Sequence, residues 1–253
     1  MNRAITSALL AVTLTLGCGG VAVAQTSKPK PAQAKVVDPF VAGLEAYTRK
    51  DYATALSLWE PLVAKGEARA QAVLGAMYAT GQGAAQDFKE AARLYGLAAA
   101  QGQANAQAAL GAMYANGEGV AQDYKEAVRL FSLAASQGDE LAQFGLGVSY
   151  ERGQGVAQDY KEAARLFRLA AVKNYALAQS NLGGMYANGD GVVQDYVRAH
   201  MWLNLGTSSL SGEERKTAST NRDNIAKRMT PAQIAEAQAM ARKCQASNFK
   251  QCD

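Results

Sequence analysis

The chain carries a single histidine, three cysteines and few aromatic residues, and each scarcity removes a class of function. With His200 as the one imidazole, a zinc site lacks the nitrogen and thiolate ligands it needs. No nucleophile, base and charge stabiliser fall into the pattern of an active site, and the many Ser and Thr residues lie near no second histidine. Glu213 and Glu214 read as solvated charges at a helix start, where the helix dipole favours them. The formal net charge is only +4, or +3 without Arg3, too little for a dedicated nucleic-acid binder. Beyond residue 24 no apolar run is long enough to span a membrane, and no segment alternates with the period of a strand. What remains is 49% hydrophobic but only 8% aromatic, a composition suited to Ala-rich helices packed side by side.

What is abundant is periodicity. Gln86-Asp87-Phe88 returns as Gln122-Asp123-Tyr124, Gln158-Asp159-Tyr160 and Gln194-Asp195-Tyr196, each after 36 residues, and Asp51-Tyr52 continues the register upstream. A fixed step of this size marks a stacked repeat array, whose extended surface makes recognition the default functional expectation. Leu74, Leu110, Leu146 and Leu182 share one column. An Ala column (Ala70, Ala106, Ala142, Ala178) lies four residues before it and a Tyr column (Tyr78, Tyr114, Tyr150, Tyr186) four after. This spacing predicts a helix with one buried face.

Paired glycines follow each such helix: Gly81 and Gly83, Gly117 and Gly119, Gly153 and Gly155, Gly189 and Gly191. They read as a left-handed helix end and a tight reversal. A phosphate cradle would need a preceding strand and further glycines. Next, Asp87, Asp123 and Asp159 each precede a Glu by three residues (Glu90, Glu126, Glu162), which predicts capping boxes opening a second type of helix. Small residues, including Ala-Ala at 98–99, 134–135 and 170–171, predict close helix approach.

The run from Ala106 through Leu110-Gly111-Ala112-Met113-Tyr114 and Gly117-Glu118-Gly119 to Gln122-Asp123-Tyr124-Lys125-Glu126-Ala127 resembles the Sel1-like repeat, a relative of the tetratricopeptide repeat. Close copies begin at Asp87, Asp123 and Asp159, with looser ones at either end. The first has Thr54 where Glu is expected, and Pro61, which predicts a helix that bends or stops early. The last has Val197 and Arg198 in place of Lys-Glu. The resemblance implies an all-α, right-handed α-solenoid of about five helix-turn-helix units over residues 38–206. It further implies a scaffold or adaptor that holds protein partners in bacterial envelope systems. A cysteine-rich branch of the family is linked to β-lactams, but these repeats contain no Cys, so an envelope hydrolase or β-lactam-binding protein is the alternative expectation.

Residues 1–24 read as an export signal: Arg3 is the positive start, Ala4 to Leu16 the apolar stretch, and Ala22-Val23-Ala24 the cleavage site before Gln25. The expected location is therefore periplasmic or secreted. Cys18 raises the competing expectation of a lipid-anchored assembly factor. The usual lipoprotein signal wants Leu three residues before the Cys and a small residue two before, whereas Thr15 and Leu16 stand there. Residues 25–37, rich in Lys, Pro, Ala and Gln, read as a flexible leader. Cys244 and Cys252 then form an even pair, expected to close a small terminal loop as a disulfide rather than act as a redox pair. Within residues 207–253, Ser211 with Glu214 predicts a capping box and a helix to about Arg228. Thr230-Pro231-Ala232-Gln233 predicts a second helix start, and the two helices are expected to cap the array.

One pattern exceeds what the fold needs. Lys89 and Arg93, Lys125 and Arg129, and Lys161 and Arg165 are each four apart, so the pairs stack into a basic stripe along the array. The plain interpretation is a solvated face neutralised by Glu90, Glu126 and Glu162. The sharper one is a partner-binding stripe for an acidic protein segment or anionic surface polymer. No cofactor is expected, and His200 is read as a residue at the junction with the terminal cap.

Overall fold

The computed structural model describes residues 38–252; the cleavage site after Ala24, Cys18 and the leader lie outside the described residues. These residues form twelve helices and no strand: α1 (Pro39–Thr48), α2 (Tyr52–Ala64), α3 (Ala68–Thr80), α4 (Phe88–Ala100), α5 (Ala104–Asn116), α6 (Tyr124–Ser136), α7 (Glu140–Arg152), α8 (Tyr160–Ala171), α9 (Ala176–Asn188), α10 (Tyr196–Ser209), α11 (Gly212–Ala226) and α12 (Pro231–Ala246). From α1 to α11 each helix packs on its chain neighbours, which makes the array a solenoid of α-hairpins.

The Leu-bearing helices α3, α5, α7 and α9 pack most broadly on the helix that follows across the glycine turn, so the natural unit begins there rather than at the Asp cap. The reason is steric. A Cβ on Gly75 would lie 3.1 Å from the Tyr95 ring, and one on Gly111 would lie 2.9 Å from Phe131. The missing side chain lets an aromatic ring from the next helix sit on the backbone, while Ala70, Ala106, Ala142 and Ala178 are fully buried behind it. At the amino-terminal end α1 and α2 form another hairpin, with Trp59 buried and its Nε1 donating to Phe40 O at 3.2 Å.

The helix starts differ from the expected capping boxes. Asp87 Oδ1 accepts from the amides of Lys89 (2.9 Å) and Glu90 (3.0 Å), and Asp123 and Asp159 repeat this. The reciprocal half is absent, because the amide of Asp87 donates to Tyr78 O at 3.0 Å and needs nothing from Glu90. Each Asp cap is worth about 1 kcal/mol. Gln86 completes the turn: its Nε2 donates to Ala79 O at 2.8 Å, as Gln122, Gln158 and Gln194 do to Ala115, Glu151 and Ala187. The recurring Gln-Asp pair thus satisfies two carbonyls at the end of the preceding helix, which would otherwise lack partners.

Within the turn, the first glycine ends the helix in the left-handed region, as Gly117 does at φ +73°. The second has a different task. A Cβ on Gly119 would fall 2.0 Å from Phe88 O, so the turn rests directly on the first peptide of α4, one unit back.

Two further expectations are corrected. Pro61 lies inside α2, which runs on to Ala64. Its missing N–H removes one hydrogen bond while the flanking turns hold. Ser211 makes no side-chain cap bond, and α11 ends at Ala226. The box at Thr230 is complete, with Gln233 reaching back to the Thr230 amide at 2.9 Å. Helices α11 and α12 both pack on α10 and make little contact with each other, and Cys244 is joined to Cys252.

Candidate partner-binding surface

The stripe residues lie on the helices that follow the Asp caps: Lys89 and Arg93 on α4, Lys125 and Arg129 on α6, Lys161 and Arg165 on α8. All six are exposed. The arginines are held: Arg93 places Nε and Nη2 on the two oxygens of Glu90 at 2.8 and 2.6 Å. Arg129 on Glu126 and Arg165 on Glu162 repeat that geometry. Hydrogen bonds from the arginines hold the carboxyls of Glu90 and Glu126 below their usual range, and the glutamates raise all three guanidinium values. The lysines make no ion pair among the described residues. Counting Asp87, Lys89, Glu90 and Arg93 together, each unit's face is neutral overall, with one unpaired cation.

Beside the charges runs a feature that reading for charge passed over. Leu97, Leu133 and Leu169, each four residues beyond a stripe arginine, are 41%, 42% and 38% exposed. Their 36-residue step was present in the sequence. What the sequence could not supply was that this column points outward while Leu94, Leu130 and Leu166, three residues earlier, are buried.

A second unremarked column is buried and polar: Gln71, Gln107, Gln143 and Gln179. Gln101 Nε2 donates to Gln71 Oε1 at 2.8 Å and Gln137 Nε2 to Gln107 Oε1 at 2.9 Å, so these amides tie the two helices of one hairpin together, while Gln107 Nε2 donates to Ala99 O of the preceding hairpin at 3.2 Å.

His200 is buried in α10 with Nδ1 lacking a partner. Burial, and then the positive charge of Arg222 on α11, lower its basicity, while Asp223 opposes them. It therefore sits at the contact between the last hairpin and α11. Nearby, a cleft of about 300 Å³ opens between α9, α10 and α11. Its polar lining is Asn188, Tyr196, Asn221, Asn224 and Arg228, with the Arg228 guanidinium over the Tyr196 ring and 3.2 Å from its hydroxyl. Among the described residues no three His, Cys, Asp or Glu side chains gather as metal ligands. No described helix is long and apolar enough to cross a membrane.

With this geometry in place, comparison with known proteins is direct. The Sel1 repeat model matches residues 68–103, 104–139, 141–175 and 176–208, more than half the chain, in the phase set by the glycine–aromatic contacts. No curated protein matches the sequence. Among solved structures, a protective antigen present in uropathogenic Escherichia coli strains, displaying an SLR fold, is 30% identical with a TM-score of 0.75. The match covers 83% of this chain but 46% of the antigen, so the chain spans less than half that protein's length. A Sel1 repeat protein from Oxalobacter formigenes is 29% identical with a TM-score of 0.60, over 83% of this chain and 78% of that one. Four matched repeats and a shared solenoid lead to one conclusion: the chain belongs to the Sel1 repeat family.

Proposed function

We propose that this protein is an exported, non-catalytic scaffold that holds a protein partner on the outward face of α4, α6 and α8. Sel1 repeat proteins generally act as protein-interaction scaffolds, and the solved relatives named above are bacterial. The observation that carries the assignment is the threefold repetition of an exposed Lys-Arg-Leu face on successive helices. Burial of the array needs none of these side chains, and three aligned copies create one long surface with a common chemistry. The unpaired lysines supply attraction for an acidic protein segment, while the Glu-paired arginines present a rigid polar rim. Export is supported by the charge, apolar run and small-residue site of residues 1–24, with the periplasm or cell exterior as destination.

A photoactivatable residue at position 125 in the native cells tests the scaffold reading. The expected result is a discrete adduct with a protein that a probe at Asn105 does not capture. Absence of any adduct from positions 89, 125 and 161 would overturn it. Mass spectrometry of the same purified chain is expected to find Gln25 at the amino terminus; a diacylglyceryl group on Cys18 would replace soluble export with lipid anchorage.

A further inference from the structure

Helix α11 packs on α10 as the first helix of a further repeat would, but it carries none of the repeat's anchors. Moving forward by the repeat step from Ala178, Leu182, Gly183 and Tyr186 lands on Glu214, Ala218, Ser219 and Arg222. Between this polar helix, α9 and α10 lies the cleft of about 300 Å³, a size at the lower end of small-molecule sites. Its apolar lining comes from Ala187, Leu203 and Ile225, and Gly184 keeps it open. A Cβ on Gly183 would lie 2.7 Å from Leu203, so packing requires that glycine, whereas a Cβ on Gly184 would meet nothing within 4 Å. Glycine inside a helix is less stable than alanine, and Ala76, Ala112 and Val148 fill this column in the earlier units. Gly184 therefore serves the open space rather than the packing.

The polar lining is rich in donors and short of negative charge. Arg228, in the turn that ends α11, gives one hydrogen bond to the Tyr196 hydroxyl and meets no carboxylate among the described residues. Asp223 is bonded to Arg222 at 2.8 Å, and Asp190 takes Asn188 Nδ2 at 3.0 Å. Lys227 Nζ occupies Asn224 Oδ1 at 3.1 Å and so leaves Asn224 its amide donors. Asn221 makes no side-chain hydrogen bond among the described residues and keeps both kinds of group.

We propose that this cleft binds the carboxylate end of a peptide. The terminal carboxylate lies on Arg228, the last amide against Asn221 and Asn224, and an aliphatic side chain on Ala187, Leu203 and Ile225 in the space before Gly184. A guanidinium fork matches a carboxylate, and its seat on the Tyr196 ring fixes the fork before the ligand arrives. Asparagine amides offer the donor and the acceptor that a peptide unit requires. A free N-acylated amino acid carries the same groups and is the other source of this chemistry. The cleft shares no residue with the Lys-Arg-Leu face of α4, α6 and α8, so its ligand is independent of a partner held there.

The test titrates the purified chain with N-acetylleucine and with an N-acetylated tetrapeptide ending in leucine, each as the free acid and as the carboxyl-terminal amide. Calorimetry measures affinity, and amide NMR shifts locate the site. The free acids are expected to bind, with shifts centred on α9 and α11. Amidation of the probe and Arg228→Gln are each expected to weaken binding at least tenfold, and Gly184→Leu, which fills the cleft, to abolish it. Because Arg228 is exposed and Gly184 faces open space, unchanged circular dichroism is expected of both variants and serves as the folding control. Tighter binding of the tetrapeptide assigns the site to a protein tail, and equal binding of the two acids assigns it to the free N-acylated amino acid. No binding of either acid, equal affinity for the amidated probes, or binding indifferent to both variants would overturn the site. Inorganic phosphate that competes as well as the acids would reduce it to a general anion contact and overturn the peptide end as its ligand.

Discussion

Gln143 Oε1 is buried without a donor because Lys173 stands where Gln101 and Gln137 stand in the preceding units. Gln101 divides its amide between Gln71 Oε1 at 2.8 Å and Gly66 O at 3.0 Å, whereas Lys173 directs its ammonium to Gly138 O. Lys173→Gln should restore the missing bridge. The expected gain is about 0.5–1.5 kcal/mol, seen as a melting midpoint higher by about 2–4 °C per kcal/mol for a chain of this size. A lower midpoint would show that the lysine's carbonyl contact outweighs the amide bridge.

Glycines with and without a close neighbour should respond differently to alanine. Gly102, in the short link between α4 and α5, has φ +85° but open space around an added Cβ, so Gly102→Ala carries only the left-handed strain of about 1–2 kcal/mol. Gly119 shares the positive φ and also rests on Phe88 O, so Gly119→Ala should lose at least about 2 kcal/mol more. Urea unfolding of both variants measures the difference, and equal losses would remove the contact between neighbouring units.

Acid should loosen the terminal cap through His200. Burial lowers its folded-state pKa below the ordinary 6.5, so the unfolded chain takes up the proton first as pH falls. Stability is therefore lost from about pH 6.5 downward until the folded state protonates too, at about 1.4 kcal/mol for each unit of downward shift. His200→Gln should flatten the melting midpoint between pH 7 and 5 relative to the wild type. Parallel profiles for the two proteins would exclude His200 as the group responsible.

The bond between Cys244 and Cys252 closes a loop with a sequence separation of 8 at the end of α12. Replacing both cysteines by serine should cost about 2–3 kcal/mol. The loss should be local: amide exchange in α12 is expected to accelerate while α5 and α6 stay protected, because each hairpin leans mainly on its neighbours. Uniform acceleration along the chain would mean that the cap and the central hairpins unfold as one unit.

Reading for local signals worked where the cause is local. The Asp caps lie within one turn of the amides they accept from, and the glycines that end each Leu-bearing helix adopt the left-handed conformation expected of them. The same local spacing allows each glutamate two roles, the reciprocal cap and the neutralisation of an arginine, and the second is the one formed. Glu90 is three residues from both Asp87 and Arg93, so spacing alone left two partners open. The contact of the Asp87 amide with Tyr78 O then removes the need for a reciprocal cap. The basic stripe was visible as a pattern, whereas the leucine row beside it was not, because a leucine column at helical spacing reads as core until its neighbours are placed.

By itself the sequence determined the period, the helical class, the turn chemistry and the family, since each is written in residues within a few positions of one another or in a repeated step. Tertiary structure decided which columns touch. It placed aromatic rings on Gly75 and Gly111, bonded the buried Gln71 to Gln101 at the end of the next helix, buried Met201 and Leu205 in one cluster with residues of α11 and α12 and left Leu97, Leu133 and Leu169 open. The reason is geometric: a repeat step says that equivalent residues recur, but whether a face is buried depends on the helix packed against it from elsewhere in the chain.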